Sequence, residues 1–111
     1  MKDSLLTGAT LTGANFTQAD LENSDLIEAI CVGTSFVNVN FSRAFLQGGN
    51  FTESDFATVN FQEADLSNAD FTRANLLGAN LIGANLENTV WDDTTCTNGS
   101  NGNDNGGFCR P

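Results

Sequence analysis

A large apolar residue returns every five positions along most of the chain: Leu6, Leu11, Phe16, Leu21, Leu26, Cys31, Phe36, Phe41, Leu46, Phe51, Phe56, Phe61, Leu66, Phe71, Leu76, Leu81, Leu86 and Trp91. Sixteen of these eighteen centres are Leu or Phe. Two residues before each centre the side chain is small or β-branched, Ala in ten of the eighteen. One residue before, twelve of the eighteen are Asp or Asn. The two residues after each centre are mostly Thr, Gly, Asn, Gln and Glu. A period of five matches neither an α-helix nor an ordinary strand. A short repeat held this long predicts a solenoid, whose units bury their apolar sides only by stacking on one another.

If each unit forms one side of a coil, the centre and the small residue before it both point inward. Two large side chains per side would overfill a narrow interior. The Asp or Asn is expected at the corner, bonding backbone N–H groups and tolerating unusual φ/ψ. Every twentieth residue lines up like with like: Leu6, Leu26, Leu46, Leu66 and Leu86 in one file; Phe16, Phe36, Phe56 and Leu76 in another. Leu21, Phe41, Phe61 and Leu81 form a third file; Leu11, Cys31, Phe51, Phe71 and Trp91 form the fourth. Four files predict a four-sided coil of twenty residues.

The unit resembles that of the pentapeptide repeat family, A-[D/N]-[L/F]-x-x. Ala64-Asp65-Leu66, Ala69-Asp70-Phe71, Ala74-Asn75-Leu76, Ala79-Asn80-Leu81 and Ala84-Asn85-Leu86 are consecutive matches, within a resemblance running from residue 4 to about 93. It implies an all-β class, a right-handed quadrilateral parallel β-helix of about four and a half coils. Residues 1–95 are assigned to the helix and 96–111 to a polar C-terminal loop or cap. Ile30 and Phe45 depart from Asp/Asn, and Cys31 from a Leu/Phe centre, without shifting the register.

After Trp91 the chain runs to Cys96, then through Asn, Gly, Ser and Asp to Phe108-Cys109-Arg110-Pro111. This stretch has little to bury and reads as a loop. A Cys96–Cys109 disulfide is expected to fold it over the last coil, with Phe108 as a lid near Trp91; two free thiols in a frayed tail are the alternative. The segment also resembles the Cys-to-Cys tail of pentapeptide repeat proteins exported to the periplasm or thylakoid lumen. A stable disulfide fits such an oxidising space. Cys31 is expected to be a small buried hydrophobe. Met1-Lys2-Asp3 leads straight into the first coil, as expected of a trimmed mature domain; a complete cytosolic protein is the alternative. An uncapped first coil exposes unpaired backbone and is a candidate site of self-association.

The net charge is −10, from 14 acidic and 4 basic residues. That argues against direct binding of nucleic acid, which needs a basic surface. No apolar run is long enough for a membrane span. His is absent and Lys2 is the sole lysine, which removes Ser-His-Asp and Cys-His chemistry and the commonest metal ligand. Asp20, Asp25, Asp65 and Asp70 occupy the repeat's own acidic slot. No catalytic residue, cofactor site or metal site is therefore assigned, and no enzyme is expected. Asn101–Gly106 has the spacing of the start of a calcium loop but lacks the downstream Glu, so a plain polar loop is the simpler reading. Twenty-residue spacing stacks Glu53, Arg73 and Asp93, and places Arg43 between Asn23 and Glu63.

Outward apolar residues carry the functional expectation. Ile30 and Phe45 fill slots that are mostly polar, and Ile27 and Val32 point outward on neighbouring sides. Together they form a candidate interaction patch; Val37, Ala57 and Leu77 stack on another side. Solenoid flats are natural docking surfaces, although scattered surface apolars are the bland alternative. The expected function is a non-enzymatic protein-interaction or scaffold module in an oxidising compartment. The alternative is an acidic DNA mimic that binds a DNA-processing enzyme such as DNA gyrase, as some members of the family do.

Overall fold

In the computed structural model, which describes residues 1–102 and Cys109, each residue just before a centre pairs in parallel with the residue twenty positions on. These pairs run from Leu5 with Asp25 to Asn75 with Thr95. Hydrogen bonds join successive coils in both directions: Leu26 N–H donates to Phe45 O at 2.7 Å, and Phe45 N–H to Ser24 O at 2.9 Å. The twenty-residue coil is the one expected from the files of like residues.

The bends fall after the centres. Every centre's carbonyl except that of Cys31 accepts the N–H three residues on, as Ala29 N–H does to Leu26 O at 3.0 Å. At Cys31 the Ser54 hydroxyl stands between, accepting from Thr34 N–H at 3.0 Å and donating to Cys31 O. The residue two past each of the eighteen centres has positive φ, as has Asp3 at the same turn position before the first centre; thirteen of these nineteen are non-glycine. A positive φ at the third turn position is the mark of a type II turn. The expectation of a corner Asp/Asn with unusual φ/ψ is therefore corrected: that slot is the middle of a flat side, and the left-handed backbone comes three residues later. The missed signal was glycine, six of which occupy the turn position. A non-glycine residue there costs about 1–2 kcal/mol. Inter-coil bonds offset it, such as Glu28 N–H to Gln47 O and Arg43 N–H to Gln62 O, both 2.9 Å.

The other half of the expectation stands. The Oδ1 atoms of all twelve Asp/Asn residues in the slot accept the N–H two residues on, at 2.9–3.1 Å. Each side chain thus reaches from the flat to the first turn residue and sets the start of the bend.

Inside, the centres stack in the four files. Phe36 lies parallel between Phe16 and Phe56, with ring centroids 5.5 and 4.9 Å away. Phe71 lies likewise between Phe51 and Trp91, both at 5.2 Å. Rings of adjacent files meet edge-on, as Phe51 and Phe56 do at 5.4 Å. Such contacts add about 0.5–1.5 kcal/mol beyond burial. At Gly49 the small slot leaves no room beside the Phe51 ring, from which a Cβ would stand 2.5 Å. Buried hydroxyls in that slot find carbonyls of the coil below, Thr34 to Leu11 O at 2.8 Å and Thr94 to Phe71 O at 2.7 Å. Cys31 is fully buried, as expected.

The two ends differ. Leu6, Leu11 and Phe16 are only partly buried, whereas Leu21 is fully buried. At the other end the chain reverses over the final coil. Asn101 pairs antiparallel with Thr95, Cys96 N–H donates to Ser100 O at 2.7 Å, and Gly102 N–H donates to Thr94 O at 2.8 Å. The expected Cys96–Cys109 disulfide is formed, with Cα atoms 5.3 Å apart and both cysteines buried. Gly102 lies so close to Trp91 that a Cβ would be 2.3 Å from its carbonyl oxygen. Phe108 and residues 103–106 of the calcium-loop-like stretch lie outside the described residues.

Candidate functional site

Because the bends come after the centres, the residue before each centre looks out from the middle of a flat face. The first face presents Leu5, Asp25, Phe45, Asp65 and Asn85; the second presents Thr10, Ile30, Asn50, Asp70 and Val90. The third presents Asn15, Ser35, Asp55, Asn75 and Thr95; the fourth Asp20, Asn40, Asn60 and Asn80. The last two faces are polar throughout. Their side chains bond along the rod: Asn40 to Asp20 at 3.2 Å, Asn60 to Asn40 at 3.4 Å, and Asn75 to Asp55 at 3.2 Å.

The first two faces break this pattern. Leu5 is 83% exposed, Phe45 46%, Ile30 43% and Val90 44%. All four apolar residues in the outward slot lie on these two adjacent faces. Sequence reading named Ile30 and Phe45 but passed over Leu5 and Val90, although the same slot marks them. Ile27 lies at the bend between the first and second faces, and Val32 at the bend between the second and third; both are half-buried. Gln47, one coil above Ile27 at the same bend, has a buried side-chain oxygen with no partner among the described residues. Elsewhere, Leu77 is 50% exposed and Ile82 65%, on the two bends that border the fourth face.

The described cations lie on the bends. Lys2 pairs with Glu22 at 3.4 Å, Arg43 also pairs with Glu22, and Arg73 pairs with Glu53 at 3.6 Å. The stacked Glu53–Arg73 pair matches the spacing argument. Arg43 does not turn to Glu63 but reaches the turn residue next to Asn23. Among the described residues, no cation pairs with Asp25, Asp65 or Asp70. Phe45 is bridged between Asp25 below and Asp65 above. At a strand spacing of about 4.8 Å, its half-exposed ring sits between two carboxylates. Each carboxylate uses Oδ1 for its turn. Burial pushes the Cys31 thiol up to about 12, which keeps it protonated and inert. Among the described residues no group of three or more His, Cys, Asp and Glu is placed to hold a metal ion, and no helix is long and apolar enough to cross a membrane.

The family profile for pentapeptide repeats matches in eight copies, over residues 4–43, 19–57, 34–73 and 50–88. Among solved structures, a pentapeptide repeat protein from the Arabidopsis thaliana thylakoid lumen is 23% identical, with a TM-score of 0.82 over 84% of this chain and 65% of its own. Rfr23, a pentapeptide repeat protein of the cyanobacterium Cyanothece 51142, is 33% identical, with a TM-score of 0.45 over 81% of this chain and 58% of its own. A third, from Nostoc Pcc 7120, is 31% identical, with a TM-score of 0.47 over 86% of this chain and 71% of its own. The chain thus spans less than two thirds of the first two proteins. The Arabidopsis likeness shows the fold, a right-handed four-sided β-helix. No curated protein matches the chain.

Proposed function

Because the chain belongs to the pentapeptide repeat family, we propose that it is a non-catalytic docking rod, working through its first and second faces in an oxidising compartment such as a thylakoid lumen or periplasm. The observation that carries this reading is the confinement of Leu5, Ile30, Phe45 and Val90 to two neighbouring flats. A solenoid that needed only solubility has no reason to leave apolar residues in a slot where Asp or Asn makes a backbone bond. Their exposure serves contact with something else. Ile27 and Val32 flank the same faces and complete the patch, while residues 96–111 act as the cap.

The compartment rests on the buried disulfide and on the likeness to a thylakoid-lumen protein. Alkylation of the native chain, denatured without reductant, tests it. One reactive thiol, Cys31, is expected before reduction and all three after. Three reactive thiols in chain taken directly from its source would overturn the compartment.

The net charge of −10 favours a second reading, an acidic mimic of DNA that occupies an enzyme such as gyrase. Against it stands the apolar interruption of two faces, since a duplex mimic needs an evenly charged surface. A gyrase supercoiling assay separates the two readings: inhibition or protection at stoichiometric chain supports the mimic, and no effect supports the docking rod.

A further inference from the structure

We infer that the partner of the first face is a basic peptide segment, with an arginine or lysine seated on the Phe45 ring between Asp25 and Asp65 and apolar side chains on either side. This rests on the docking reading and names the chemistry of its occupant.

Three observations carry it. First, the ring is presented rather than hidden: Phe45 is 46% exposed at the centre of a flat face, where the family unit places Asp or Asn. Second, parallel pairing puts Asp25 and Asp65 directly on either side of it, and no cation among the described residues neutralises them. A cation over an aromatic face is held by the negative charge of the ring's face, and flanking carboxylates add to that attraction. Third, the surroundings continue both chemistries. Ile27 and Glu28 lie at the bend on one edge, with Ile30 on the next face. A segment alternating apolar and basic residues would meet apolar ground and carboxylates together.

Charge excludes the other occupants. A second copy docked through this face would bring its own Asp25 and Asp65 against the same pair. Like charges so placed are costly. A nucleic acid or an anionic membrane would meet the same repulsion, from a chain whose net charge is −10.

The test begins by panning a random heptapeptide library against the immobilised, oxidised chain, then measuring the selected peptides by calorimetry at two salt concentrations. Phe45→Asn restores the residue type of the slot, and Asp25→Asn with Asp65→Asn keeps both turn-setting acceptors, so all three substitutions suit the fold. Selected peptides should carry Arg or Lys beside apolar residues. Phe45→Asn should weaken them about tenfold or more, and the double Asp variant by about three- to tenfold with loss of the salt dependence. If Phe45→Asn abolishes binding while the double variant changes neither affinity nor salt dependence, the cation is wrong and the docking face survives. If the library yields no peptide that Phe45→Asn weakens, both the cation and the docking face fail. Dimerisation of the free chain that Phe45→Asn abolishes would replace the peptide by a second copy and overturn the inference.

Discussion

The third and fourth faces keep their outward slot polar throughout, and the first and second faces break that pattern with apolar residues at four places. On the polar side each Asp or Asn sets a turn, and in part of the ladder it also bonds its neighbour along the rod. On the other side, Phe45 and Ile30 give up that turn bond and stay out of the core, each nearly half exposed. The core behind the faces does not share the difference. Leu46 behind Phe45 and Phe61 behind Asn60 are both fully buried. Stability is distributed around the whole coil, and what varies from face to face is the outward slot. A face that can forgo its turn-setting side chain is free to carry a contact surface.

The comparison can be broken first at the core. Leu46→Ala and Phe61→Ala should each cost about 2–5 kcal/mol in denaturant unfolding. A much smaller loss at Leu46 would mean that the interrupted faces are loose throughout rather than altered only outside. Next comes the cap, which bears on all four faces alike. Replacing both Cys96 and Cys109 by Ser should cost about 3 kcal/mol, seen as a lower unfolding midpoint with unchanged far-ultraviolet circular dichroism. Smaller again is the contrast between the slots themselves. Asn60→Ala removes a turn bond at 3.0 Å and a ladder bond, and should cost about 1 kcal/mol. Phe45→Asn should stay within about 0.5 kcal/mol of the parent. Equal losses at the two positions would show that the Phe45 ring is structural.

A separate effect, read against pH rather than against a neighbouring face, is expected in alkali. The folded Cys31 thiol titrates near 12, raised by burial from 9.0. The folded chain therefore holds this proton more tightly than the unfolded chain. The stabilisation is complete below about pH 9 and is lost as pH rises toward 12. Without Tyr and with one Lys, few other groups titrate in that window. Urea midpoints at pH 8 and pH 11 should fall less for Cys31→Ala than for the parent. An equal fall would place the thiol in water.

Much of this was legible in the residues. The five-residue beat identified the buried centres, and the twenty-residue files predicted coil pairing that the bridges and stacked rings follow. The exposed apolar positions were half legible: Ile30 and Phe45 stood out against Asp and Asn, while Leu5 and Val90, marked by the same slot, were passed over. The misplaced corner has a physical cause. Asp and Asn are turn formers, and here they shape the turn from outside it, through Oδ1, while residues as unlike as Arg43, Thr58 and Glu53 take the left-handed backbone.

Periodicity by itself determined what lies inside, because a narrow coil admits one large and one small side chain per unit and rejects any slip of register. Tertiary structure alone decided which outward positions lie on the flats and which at the bends. That depends on where the backbone bends, and the bend is held by hydrogen bonds to the next coil, twenty residues away, rather than by the type of residue at the turn.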